Sequence, residues 1–128
     1  MIKDIETRDD IDRLMRTFYA RALSDEVIGY IFTDVAKLDL DRHLPIIGDF
    51  WESLLLGTGV YQAHGRNPLM VHRDLHEKSA LREDHFRRWL ELFETCVKED
   101  FSGENADYAI LRAQMIARRF RSALGVAG

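Results

Sequence analysis

Apolar residues in this chain recur at intervals of three and four almost from end to end, and no stretch alternates apolar with polar as a half-buried strand does. Ile11, Leu14, Met15, Phe18, Tyr19 and Ala22 set the pattern, behind Thr7 and Asp10, which read as a helix start. A short second run, Val27 to Phe32, follows Asp25. From about 41 to 56, Leu44, Ile47, Phe50, Trp51, Leu54 and Leu55 share one broad face, and Gly57-Thr58-Gly59 ends that helix. Pro45 fits there only in the first turn, where its missing N–H would be unpaired in any case. Residues 60–67 read as a loop. Pro68 restricts Asn67 to extended conformations, and a short helical piece follows over about 69–75. Phe86, Trp89, Leu90, Phe93 and Val97 mark a helix over about 84–101. Beyond Gly103, Ala106, Ile110, Ala113, Ile116, Ala117 and Phe120 mark the last one. The expectation is an all-α protein, a single domain over residues 1–128 with its core between about 7 and 122.

Charge and cysteine usage remove several function classes. A formal charge of −4 argues against a nucleic-acid binder, whose footprint would be a basic surplus. The single cysteine, Cys96, excludes an internal disulfide and any CxxC site, and its apolar-periodic setting reads as a small buried thiol. No apolar run approaches the ~20 residues of a membrane span. The polar, acidic start MIKDIETRDD has no targeting pattern, so the expected compartment is the cytoplasm. There is no P-loop, GxGxxG, GxSxG or EF-hand loop, and no heptad seam or evident apolar stripe that would force association, so the oligomeric state is open.

Chemistry could reside in the 5 histidines. His64 lies in the polar loop and His85 in the first turn of an amphipathic helix, so both read as solvated. His72 and His76 are one helical turn apart and could share a zinc ion, but HRDLH lacks the glutamate of HExxH and no third ligand is evident. His43 and His72 lie beside apolar neighbours, Leu44 and Ile47 for one, Met70, Val71 and Leu75 for the other. Phe18, Tyr19, Tyr30, Phe32, Phe50, Trp51, Phe86, Trp89 and Phe93 are many large rings for a core of this size. They make either an aromatic-rich core or the walls of a slot for a flat apolar cofactor, with Tyr19 and Trp89 as polar groups aimed into it.

These same residues resemble the group III truncated haemoglobins, short bacterial globins with a two-over-two helical sandwich. FYARALSD, with Phe18 and Tyr19 adjacent, resembles the family's distal Phe-Tyr pair. HLPIIGDFWESLLLGTG resembles its distal helix, and NPLMVHRDL the segment with the haem-ligating histidine. HFRRWLELFETCV and GENADYAILRAQMIA resemble the two remaining helices. The blocks follow in order over most of the chain.

The resemblance implies haem b (iron protoporphyrin IX) as cofactor, with His72 as proximal iron ligand and His76 as its competitor one turn later. It implies a distal pocket of Tyr19, His43 and Trp89, walled by Ile47, with Phe32 on the haem face. The wider cofactor set is Phe18, Phe32, His43, Ile47, Phe50, Trp51, Met70, His72, Leu75, Phe86 and Trp89. The insertion QAHGR before Asn67 departs from close relatives, and Arg66 and Arg73 stand as propionate partners. The implied ligands are O2, NO and CO. Two strong donors suit chemistry or sensing on the ligand better than oxygen transport, and NO dioxygenation would need a separate reductase, since no flavin or nicotinamide motif is present. Whether the chain is an enzyme is left open. A haem-free interaction domain of globin shape is the alternative.

Overall fold

The computed structural model describes residues 2–61 and 67–126. Among the described residues the fold has five α-helices: α1 (Arg8–Ala22), α2 (Leu40–Leu56), α3 (Pro68–Lys78), α4 (Glu83–Asp100) and α5 (Glu104–Leu124). Among the described residues there is no strand, only an isolated bridge between Lys3 and Phe101. No described helix is long and apolar enough to cross a membrane. The helices pair as α1 with α2 and α4 with α5, and the two pairs stack through α1 on α4 and α2 on α5. This is the expected two-over-two sandwich. α3 lies against α5.

The start of α1 follows from its sequence. Thr7 Oγ1 accepts the Asp10 N–H while Asp10 accepts the Thr7 N–H, a reciprocal cap that satisfies two otherwise orphaned donors. Its inward stripe, Ile11, Leu14, Met15 and Phe18, is 0–2 % exposed and meets Phe93, Cys96 and Val97 of α4 at the centre of the core. Gly57 ends α2 at φ +70°, the left-handed C-terminal conformation glycine adopts at little cost. Asn67 caps α3 from an extended backbone, its side chain accepting from Leu69 and Met70, with Pro68 at the first helical position.

Three local expectations change. Pro45 lies inside α2, one turn beyond the first, so the Asp41 carbonyl lacks its helical donor. Asp41 is exposed, where water satisfies that carbonyl, and Arg8 donates to the Pro45 carbonyl at 3.2 Å. Gly48 permits this approach, because a Cβ there would sit 2.6 Å from the Arg8 guanidinium. Arg8 also pairs with Asp12, Asp49 and Glu52, tying α1 to α2. The short second run becomes a π-helical turn over Ile31–Val35 rather than a helix over 27–32. α3 extends to Lys78, longer than the piece anticipated, because Ser79 and Leu81 supply its C-terminal closure.

Asp10 makes the helix start sensitive to acid. Burial alone would raise its carboxyl, but the Lys3 ammonium and the Glu6 and Thr7 amides outweigh burial and hold it down at about 2, against an ordinary 3.8. A carboxylate depressed in the folded state stabilises the fold above its unfolded pKa, and that stability is lost as pH falls from about 4 toward about 2. The contribution is about 2 kcal/mol. In urea titrations over that range, wild type is expected to lose this much more stability than Asp10→Asn, whose curve is flatter. Parallel pH curves for the two proteins would contradict the assignment.

Candidate functional site

Seven of the nine aromatic residues that the sequence could assign either to core or to a slot, all but Tyr30 and Phe86, form one continuous chain of rings. Phe32 lies edge-on to Tyr19, and Tyr19 edge-on to both Phe18 and His43, at centroid separations of 5.9, 5.1 and 5.1 Å. Phe18 continues edge-on to Trp89 at 5.9 Å. Phe93 is stacked between Trp89 and Trp51, with centroids 5.4 and 5.0 Å away. Trp51 passes on to Phe50, and Phe50 to Tyr61. α1, α2, α4 and the π-helical turn all contribute, so residues far apart in sequence share one wall.

Part of this wall is true core and part is its lining. Phe18, Trp51, Phe86 and Phe93 are buried, whereas Phe32, Ile47, Phe50, Leu75 and Trp89 are half-buried and pack on the core from outside. The polar edge is the pair Tyr19–His43, with Tyr19 Oη 2.8 Å from His43 Nε2. Burial pushes the Tyr19 phenol up from its usual range, so it remains an O–H. The pair has two proton arrangements. If Nε2 carries the proton, Tyr19 accepts it and its own O–H is free for a third partner; otherwise that O–H is directed at His43.

His72 stands on the half-buried face of α3 that also carries Leu69, Leu75 and His76. Its ring lies 4.6 Å from that of Phe120 on α5, tilted by 45°. Nδ1 is 2.7 Å from the Pro68 carbonyl oxygen. A carbonyl only accepts, so Nδ1 carries the hydrogen and Nε2 keeps its lone pair. Burial lowers the His72 pKa against the raising effect of that carbonyl, which favours the neutral ring. His72 is therefore equipped as a metal ligand with its outer nitrogen already oriented.

His76 has the opposite chemistry. Its Nδ1 accepts the Leu81 N–H at 2.9 Å, so in the neutral ring Nε2 bears the proton and has no lone pair to give. Its part is to close the end of α3. Among the described residues no group of three His, Cys, Asp or Glu is placed to hold a metal ion.

His85 is a correction. It is 4 % exposed, not solvated. Its Nδ1 accepts the Arg82 N–H at 3.0 Å and its Nε2 meets Tyr30 Oη at 3.1 Å. The first turn of α4 is covered by the chain around Tyr30, so the ring is desolvated and its pKa lowered. Met70 and its neighbour Val71 also differ from the rest of the anticipated set: they are 48 and 42 % exposed, whereas His72 and Leu75 are half-buried. Arg73 is exposed as well. His64, Arg66 and the rest of QAHGR lie outside the described residues.

Nothing in the sequence points Phe120 toward His72. Its position on the apolar face of the last helix is legible, but its approach to His72 depends on how α5 passes beneath α3. A separate open depression of about 670 Å³, between α4 and the residues following α1, shares none of these residues. Its Arg88 is already paired with Asp25 and Glu91, which leaves it without the chemistry of the ring-lined site.

Comparison with known proteins gives a consistent result. No family model matches the chain. It is 32 % identical over 120 residues to a group 3 truncated hemoglobin of Campylobacter jejuni, spanning 91 % of this chain and 90 % of that one. The crystal structure of the group III truncated hemoglobin from Campylobacter jejuni superposes with a TM-score of 0.82 at 31 % identity, covering 97 % of this chain and 95 % of that one.

Proposed function

The chain belongs to the group III truncated haemoglobins, and from that premise we propose that it is a single-domain haem protein whose ligands are O2, NO and CO. The observation that carries the proposal is the His72 ring: neutral, oriented by the Pro68 carbonyl, and presenting an Nε2 lone pair from a half-buried helix face. That donor suits iron protoporphyrin IX, and the half-buried Phe32, Ile47, Phe50, Leu75 and Trp89 supply apolar surface of the kind a flat cofactor covers. When bound, the haem iron supplies an open coordination position at which a diatomic molecule can be held.

The protein's own groups decide what happens to that molecule. Tyr19 remains a phenol, and with His43 Nε2 protonated it offers its O–H to the ligand. Trp89 adds an indole N–H from α4, and Ile47 and Phe32 keep water away. A hydrogen bond to a charged acceptor is worth about 1.5–3 kcal/mol. Two donors together retain the ligand for long periods, which favours reaction or sensing over delivery. NO detoxification in such a pocket draws electrons from a separate reductase. A peroxidase-like reaction would instead use the Tyr19–His43 pair to hand over a proton.

Absorption spectra of the purified protein, oxidised and reduced, test the proposal directly. The expected result is an intense Soret band and a five-coordinate reduced form that takes up CO. A protein that stays colourless after haem is supplied is instead a haem-free interaction domain of globin shape.

A further inference from the structure

Helix α5 carries two faces with different roles. Ala106, Ala109, Ala113 and Ala117 are buried and let α5 lie close to the rest of the fold. On the opposite side, Tyr108, Leu111 and Met115 are 41, 49 and 43 % exposed, contrary to the expectation of no apolar stripe. At 3.6 residues per turn these three fall in one narrow arc, which also contains Glu104 before them and Arg118 after them. Both charged residues are exposed, and among the described residues neither makes an ion pair. Single exposed apolar side chains need no explanation. A row of them bounded by opposite charges is a surface complementary to itself.

We infer that this face of α5 is the contact surface of a symmetric dimer, occupied by α5 of a second copy of the chain running antiparallel. A twofold axis at Leu111 sets that residue against its own mate and Tyr108 against the partner subunit's Met115. Glu104 and Arg118 lie equally far from Leu111, about 10 Å along the helix on either side. The same axis therefore places Glu104 opposite the partner subunit's Arg118, and the pair occurs twice. A parallel arrangement would set like charges together, so the charge order selects the antiparallel one. One helix face is a small interface, below about 1,200 Å², and the association is correspondingly weak, with half-dimerisation at about 10–100 µM. The inference does not depend on haem binding, and its test reads mass rather than colour.

Sedimentation equilibrium of the full chain as purified, from about 10 µM to 1 mM, is expected to show the 14.9 kDa monomer passing to a dimer. Leu111→Lys and Glu104→Arg, both at exposed positions, are each expected to raise the dissociation constant at least about tenfold, Leu111→Lys without altering the thermal melt. The exchange Glu104→Arg/Arg118→Glu is expected to restore it to within about threefold of wild type. A monomer across the whole range overturns the inference. So does a dimer indifferent to Leu111→Lys, which would associate through another face, or a double exchange as weak as Glu104→Arg alone.

Discussion

His72→Ala is expected to abolish stable haem binding while leaving the helical fold intact. Disturbing only an outer partner of a metal-ligating histidine costs about 10–100-fold in affinity, so removal of the ligand itself should exceed about 100-fold. The contrast with His76 makes this specific. The two imidazoles are one turn apart on α3, but Nδ1 of His72 donates to Pro68 whereas Nδ1 of His76 accepts from Leu81. Only His72 has a free lone pair on the outer nitrogen. His76→Ala should therefore keep the wild-type spectrum and lose only about 1 kcal/mol of stability, because the Leu81 amide loses its acceptor. Haem titrations of both variants check this, with imidazole added to His72→Ala to fill the truncated site. A normal spectrum in His72→Ala with loss in His76→Ala would move the ligand one turn along the helix.

The second large effect is expected from the distal hydroxyl. Tyr19→Phe preserves the edge-on ring contacts with Phe18, Phe32 and His43 while removing the O–H. Loss of one hydrogen bond to a partly negative ligand, at about 1.5–3 kcal/mol, corresponds to roughly 10–100-fold faster O2 release. The change should be far smaller for CO, whose bound form attracts a donor less strongly. Stopped-flow release of both gases from wild type, Tyr19→Phe and Trp89→Phe separates the two donors. If Tyr19→Phe releases O2 within about twofold of the wild-type rate, the Tyr19 hydroxyl is held by His43 and takes no part in retaining the ligand.

Much of this protein is legible locally. The Thr7–Asp10 cap, the Gly57 stop, the Asn67-Pro68 start and the three-four periodicity each depend on residues within a turn or two of one another. Local backbone chemistry is enough to determine them. Tyr19, His43, Trp89 and His72 could be singled out from residue blocks, but which rings each would touch could not. That required α1, α2 and α4 to bring the first three into one ring network and α3 to set His72 against Phe120.

The errors have the same origin. His85 has the local surroundings of a solvated histidine, yet Tyr30, far away in the sequence, covers it. Pro45 violates a local helix rule and is tolerated beside an exposed carbonyl, with Arg8 of another helix bonded to its own oxygen. His72 and His76 differ in tautomer, set by which backbone group each Nδ1 meets. Sequence alone determined where α1 and α3 begin, where α2 ends and which way the long helices face, because those are short-range balances of hydrogen bonding and burial. Tertiary structure decided which side chains are desolvated and which apolar face of α5 remains outside, because each depends on what another helix places against it.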